Sequence, residues 1–150
     1  MILVHTIGYE SASPQSFLDA LQGGGVSLVV DIRAVASSRR PGFAKTRLAA
    51  NLAEGGIDYV HLRALGTPAD GRAAARAGRH DEMKQIFREH LATPGAKEGL
   101  EQLTALVRSE RPLALLCFEH DPAHCHRSLV ADALSSRLPV RVRHLLPEID

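Results

Sequence analysis

The chain has 150 residues, 45% of them hydrophobic and 23% charged, the balance of a globular protein about one domain long. No apolar run approaches the ~20 residues of a membrane span, and the opening MILVHTIGYE lacks the basic region and cleavage site of a signal peptide. These features predict a single domain over 1–150, cytoplasmic, with no membrane partner. A net charge of +1 does not by itself demand a nucleic acid. Two cysteines with seven residues between them make no disulfide framework, and both read as free thiols or ligands in a reducing compartment.

Short β-rich runs alternate with helical patterns. ILVHTI predicts a first strand ending at Gly8, and Ser13 followed by Pro14 gives a helix cap and a first-turn proline ahead of Phe17, Leu18 and Leu21. The glycines Gly23 to Gly25 stop that helix. VSLVVDIR is a continuous apolar strand of the kind buried on both faces of a parallel sheet, and it ends in Asp31 and Arg33. After the loop AVASSRRPGFAK, a helix from about Thr46 to Glu54 closes at Gly55 and Gly56, and IDYVHL is the third strand.

RALGTPADGRAAARAGR is long for a connection and reads as a loop, a candidate lid over 63–80. Met83, Ile86, Phe87, His90 and Leu91 recur with helical spacing, and a further helix carries Leu100, Leu103, Leu106 and Val107. PLALLCFE predicts the fourth strand, a helix begins at about His124, and VRVRHLL is a fifth strand whose alternation with arginine suits a sheet edge. The alternation predicts an α/β domain of three layers: a mostly parallel, open, Rossmann-like sheet of about five strands with helices on both faces.

Ligands of such sheets bind beyond the carboxyl ends of the strands. That edge is where Gly8 and Tyr9, Asp31 and Arg33, His61, and Cys117 and Glu119 fall. From Ile32 to Ala53 there is no acid, while Arg33, Arg39, Arg40, Lys45 and Arg47 supply five positive charges. Guanidinium forks match phosphate, so Arg33, Arg39 and Arg40 are candidate anion ligands, with pairing of Arg33 to Asp31 in a solvated loop as the plainer reading.

CFEHDPAHCHRS concentrates the remaining chemistry in twelve residues, Cys117 to Ser128. Cys125, His126, Arg127 and Ser128 stand at a helix start, which favours negative charge, so Arg127 and Ser128 join the anion ligands and Cys125 is a candidate nucleophile. Burial of Cys125 in the core is the alternative. Cys117, His124 and Cys125 offer donor atoms for a metal, but not at the usual zinc spacing, so no cofactor is predicted and the metal is the lesser reading. Cys117 at a strand end resembles the thiol of rhodaneses and cysteine phosphatases, though Glu119 and Asp121 in the following loop oppose a thiolate there. Glu119, Asp31 and His61 form a candidate acid–base set, and Gly8, Tyr9, Phe43, Cys117 and His126 are expected to line the pocket.

TIGYE, VVDIRAVASSRRPGF, YVHLRALG and LLCFEHDPAHCHRSLVADAL, in that order, resemble the domain of unknown function 488 family over nearly the whole chain. The family pattern falls on Thr6, Gly8, Asp31, Arg33, Ser38, Arg40, Phe43, His61, Leu65, Gly66, Cys117, Glu119, Cys125, His126 and Arg127. The resemblance implies a compact bacterial or archaeal α/β domain and no established activity. Where family members often carry LGG before a basic stretch, this chain has LGTPADGRAAARAGRH. The reading that follows is an enzyme acting on a phosphorylated or nucleotide-like substrate, a small anion held by Arg33, Arg40 and Arg127. Its alternative is a non-catalytic module binding nucleic acid or a protein partner, and neither reading fixes an oligomeric state.

Overall fold

A computed structural model describes residues 1–149. Five strands, β1 (Ile2–Gly8), β2 (Leu28–Asp31), β3 (Asp58–His61), β4 (Leu113–Cys117) and β5 (Val140–Leu145), form one sheet in the order β3-β2-β4-β1-β5. Every pairing is parallel. Six helices connect them: α1 (Pro14–Gly23), α2 (Lys45–Glu54), α3 (Ala69–Arg76), α4 (His80–Leu91), α5 (Pro94–Arg108) and α6 (Arg127–Ser135).

Burial explains the strand sequences. All residues of β2 and β4 are buried, which is why LVVD and LALLC are continuously apolar up to their last residue. β5 closes one edge and alternates, as its arginines require. Phe17 and Leu21 of α1 and Leu48 and Leu52 of α2 pack with Val29, Ala114 and Leu116 on one face. Helices α3 to α6 cover the other through Ala74, Met83, Phe87, Leu100, Leu103, Val130 and Leu134, against Val30, Leu115 and Cys117.

Handedness accounts for this division. Right-handed crossovers running toward β3 place α1 and α2 on one face, and those running back toward β5 place α3 to α6 on the other. The chain therefore leaves the adjacent strands β2 and β4 toward opposite faces, which opens a crevice between their carboxyl ends.

Two expectations change. The segment expected as a loop over 63–80 is a 3-10 turn at Arg63–Leu65 followed by α3. That helix buries only Gly71 and Ala74, so it shows no apolar periodicity. It sits close to its neighbours instead: a Cβ on Gly71 would lie 2.5 Å from the Thr67 side chain and 3.2 Å from Ile86. The helix expected from about His124 is divided into a 3-10 turn at Pro122–His124, capped by Asp121, and α6 from Arg127.

Candidate functional site at the carboxyl edge

Alternation along β4 turns Leu113, Leu115 and Cys117 to the face covered by α3 to α6. The chain then passes through Phe118 and Glu119, makes its 3-10 turn and returns at Cys125, whose side chain is buried beside Cys117. The two sulfurs are within bonding distance and form a disulfide. The expectation of two free cysteines is thus corrected. The strand, turn and helix start form a hairpin that brings the thiols together, which spacing alone does not reveal.

Arg127 braces this hairpin from below. Its side chain is fully buried, with Nε donating to Thr6 Oγ1 at 3.1 Å and Nη2 to the His120 carbonyl at 3.0 Å. Nη1 donates to the Glu119 carbonyl and lies 3.9 Å from Cys117 Sγ. Burial pulls the guanidinium pKa down to about 10, against the attraction of Glu119 and Asp121. Gly8 makes room for the brace: a Cβ there would meet the Glu119 carbonyl and come within 2.8 Å of Arg127 Nη1.

His126 is buried between Cys125 and β2. Nε2 lies 2.8 Å from the Ile32 carbonyl, and because a carbonyl only accepts, Nε2 carries the proton. Nδ1 is therefore an unprotonated lone pair, 3.8 Å from Cys125 Sγ. Burial holds the ring neutral by lowering its pKa to about 4. Cys117, Cys125 and His126 are the one three-donor set among the described residues with metal-binding proximity, their donor atoms lying within 4.8 Å of one another. His126 takes the place expected for His124, which is exposed and stacks on the His80 ring at 4.0 Å. The bonded sulfurs offer no thiolates, so this set suits a soft metal only once reduced.

A cavity of about 300 Å³ opens above this hairpin, in the crevice between the ends of β2 and β4. Cys117, Phe118, Glu119 and His126 form one wall, with Tyr9 and the residues Arg33 to Val35 opposite. Glu119 Oε2 is 3.3 Å from Cys117 Sγ, and burial raises the pKa of this carboxyl. Arg72, Ala75 and Arg76 of α3, with Thr67 just before it, cover the cavity as a roof. Arg72 Nη1 donates to the Thr67 carbonyl at 2.8 Å, and Arg76 is exposed.

The other residues expected in the site serve elsewhere. Asp31 is fully buried and pairs with Arg33 at 2.8 Å, while also accepting from the Arg33 backbone N–H and the Tyr59 hydroxyl. Arg33 spends its remaining contacts on Tyr9 Oη at 3.2 Å and the Phe43 carbonyl at 2.8 Å, so its guanidinium lines the cavity as an occupied structural group. Asp31, expected as an acid–base group, and Arg33, expected as an anion clamp, are partners in one buried ion pair. His61, expected in an acid–base set, donates from Nε2 to the Arg33 carbonyl at 2.6 Å and does not line the cavity.

Arg39 is exposed, and Arg40 donates to the Ala12 carbonyl while lying over the Phe43 ring. Neither lines the cavity, so the expected clamp of Arg33, Arg40 and Arg127 does not assemble. Ser128 fastens α6 to the 3-10 turn through the Pro122 carbonyl at 2.6 Å. Of the expected pocket residues, Tyr9, Cys117 and His126 line the cavity; Gly8 supports it, and Phe43 stacks under Tyr9 at 4.6 Å within the α1–α2 core.

Sequence reasoning missed Thr67, Ala75, Met83 and the two roof arginines, Arg72 and Arg76. Their available signal was the i, i+4 spacing of Arg72 and Arg76, which places both on one helix face. The family described as Domain of unknown function DUF488 matches residues 13–134. The chain belongs to the DUF488 family. Its match runs from the N-cap of α1 into α6 and so includes the disulfide hairpin, the roof helix and every cavity-lining residue but Tyr9. No curated protein matches the chain, and the family's description names no activity. Among the described residues no helix is long and apolar enough to cross a membrane.

Proposed function

We propose that the crevice between β2 and β4 is the active site of a thiol-dependent enzyme acting on a small substrate that bears an anionic group, a phosphate or a carboxylate. The observation that carries this reading is the setting of Cys117. It ends a fully buried strand on the wall of the cavity, with a buried guanidinium at 3.9 Å and a carboxyl oxygen at 3.3 Å.

In the reduced state Cys117 is the reacting thiol. The Arg127 charge offsets the repulsion that Glu119 would exert on a thiolate, and Glu119, its carboxyl pKa raised by burial, exchanges the thiol proton with the substrate. Arg72 and Arg76 supply the cationic side of the cavity in place of the arginines of the 33–40 loop. The cavity admits a compact molecule, and Tyr9 and Phe118 contribute aromatic surface to its opposite walls.

Titration of the isotopically labelled protein with inorganic phosphate, followed by amide resonances, tests the site. Perturbation of Thr67, Ala75, Phe118 and Glu119 is expected. Perturbation confined to Ser38 to Arg40, or none at all, overturns the reading.

A further inference from the structure

We infer that the Cys117–Cys125 pair cycles between dithiol and disulfide in turnover, and that the substrate is a low-molecular-weight disulfide carrying carboxylates. This rests on the thiol-enzyme reading above and names its reaction class. The two sulfurs are placed asymmetrically. Cys117 lines the cavity and has the Arg127 guanidinium beside it. Cys125 does not line the cavity; it is buried behind Cys117, next to the neutral face of His126. An incoming molecule therefore meets Cys117 alone, and Cys125 reaches only Cys117.

The steps follow from that placement. The Cys117 thiolate attacks one sulfur of the substrate, the substrate S–S bond breaks, and one half leaves as a thiolate that takes up the proton Cys117 gave to Glu119. Cys117 now holds the other half as a mixed disulfide. The Cys125 thiolate attacks Cys117 Sγ, the pair closes, and the second half leaves as a thiolate that takes up the Cys125 proton. Two electrons pass from the pair to the substrate, and one disulfide becomes two thiols. A low-molecular-weight thiol returns the pair to its dithiol form by the same steps reversed.

Substrate class follows from the roof. Arg72 and Arg76 stand one helical turn apart over the cavity, and Arg72 has donors beyond its single bond to Thr67. Guanidinium groups at that spacing favour a disulfide with carboxylates over a cationic one.

The test uses the full chain with Cys125→Ser, and Cys125→Ala as a second variant, treated with oxidised glutathione and separately with cystamine. Intact mass should show one half of oxidised glutathione on Cys117, formed at least ~5-fold faster than the cystamine adduct, with the preference lost in R72A/R76A. Cys117→Ser should form no such adduct on Cys125. An adduct on Cys125 but not on Cys117, or a wild-type disulfide that reducing agents open only after denaturation, overturns the exchange. So does one equivalent of zinc held by the reduced wild type and lost in Cys117→Ser, which would make the pair a metal site. If trapping fails while phosphate still perturbs the roof, the exchange chemistry falls and the anion site stands. Failure of both removes the site.

Discussion

Arg127 Nη1 lies 3.9 Å from Cys117 Sγ, and every hydrogen bond of that guanidinium to oxygen goes to a hydroxyl or a carbonyl. A buried cation without a carboxylate partner is costly unless it serves its surroundings. Here it fixes the Glu119 and His120 carbonyls and supplies positive charge beside the sulfur. Arg127→Met keeps most of the volume and removes both. Loss of hydrogen bonds to a charged donor predicts destabilisation of about 3 kcal/mol in chemical denaturation, together with slower alkylation of Cys117 in the folded, reduced protein.

Asp31 and Arg33 predict a different outcome, although both stand at a strand end in the same crevice. Their ion pair is buried and holds Tyr9, Tyr59 and the Phe43 carbonyl in place. Asp31→Asn leaves Arg33 without its counter-charge and should cost about 3–5 kcal/mol, read from the denaturation midpoint. A variant that stays folded should still bind phosphate beneath Arg72 and Arg76.

His126 makes stability depend on pH. Its pKa is about 4 in the folded protein, against 6.5 for an unperturbed histidine, so the unfolded chain binds more protons between those values. Stability is complete above about pH 6.5 and falls as the pH drops toward 4, by up to ~3 kcal/mol from this residue. Urea midpoints from pH 7 to 4.5 should show the fall. His126→Gln, which retains a donor for the Ile32 carbonyl without a titrating ring, should flatten it.

Gly8 gives a steric prediction. Parallel pairing aligns Gly8 with Cys117, and the hairpin carbonyl of Glu119 passes where a side chain would stand. Gly8→Ala must push that backbone away and should destabilise the protein by about 1–3 kcal/mol. Because the displaced segment carries the Arg127 contacts, Cys117 should lose its advantage over Cys125 in alkylation. Arg72→Ala with Arg76→Ala is the contrasting variant: both side chains are outside the core, so stability should change by no more than about 0.5 kcal/mol while phosphate binding is lost.

How much of this was legible in the sequence depends on what each residue had to do. Continuous burial wrote β2 and β4 as unbroken apolar runs, and Ser13 with Pro14 marked the start of α1. The carboxyl-edge rule placed Tyr9, Cys117 and Glu119 at one edge of the sheet, and these three side chains line the cavity. α3 was unreadable because it packs through Gly71 and Ala74, small residues that leave no hydrophobic stripe. The arginines misled for a related reason. Charge in a sequence does not say which cations are occupied, and Arg33, Arg40 and Arg127 all serve internal oxygens, while Arg72 and Arg76 over the cavity sit on α3, which has no apolar stripe. The disulfide needed the turn at Pro122–His124, which reverses the chain between the two cysteines.

The most direct test of the central claim is competitive alkylation of the reduced, folded protein, with Cys117 and Cys125 quantified separately by peptide mass spectrometry. Cys117 is expected to be modified first, and inorganic phosphate to slow it, because the thiol opens into the cavity beneath Arg72 and Arg76. Equal reactivity of the two thiols, or prior modification of Cys125, would contradict a reacting Cys117 and reduce the hairpin to a structural staple.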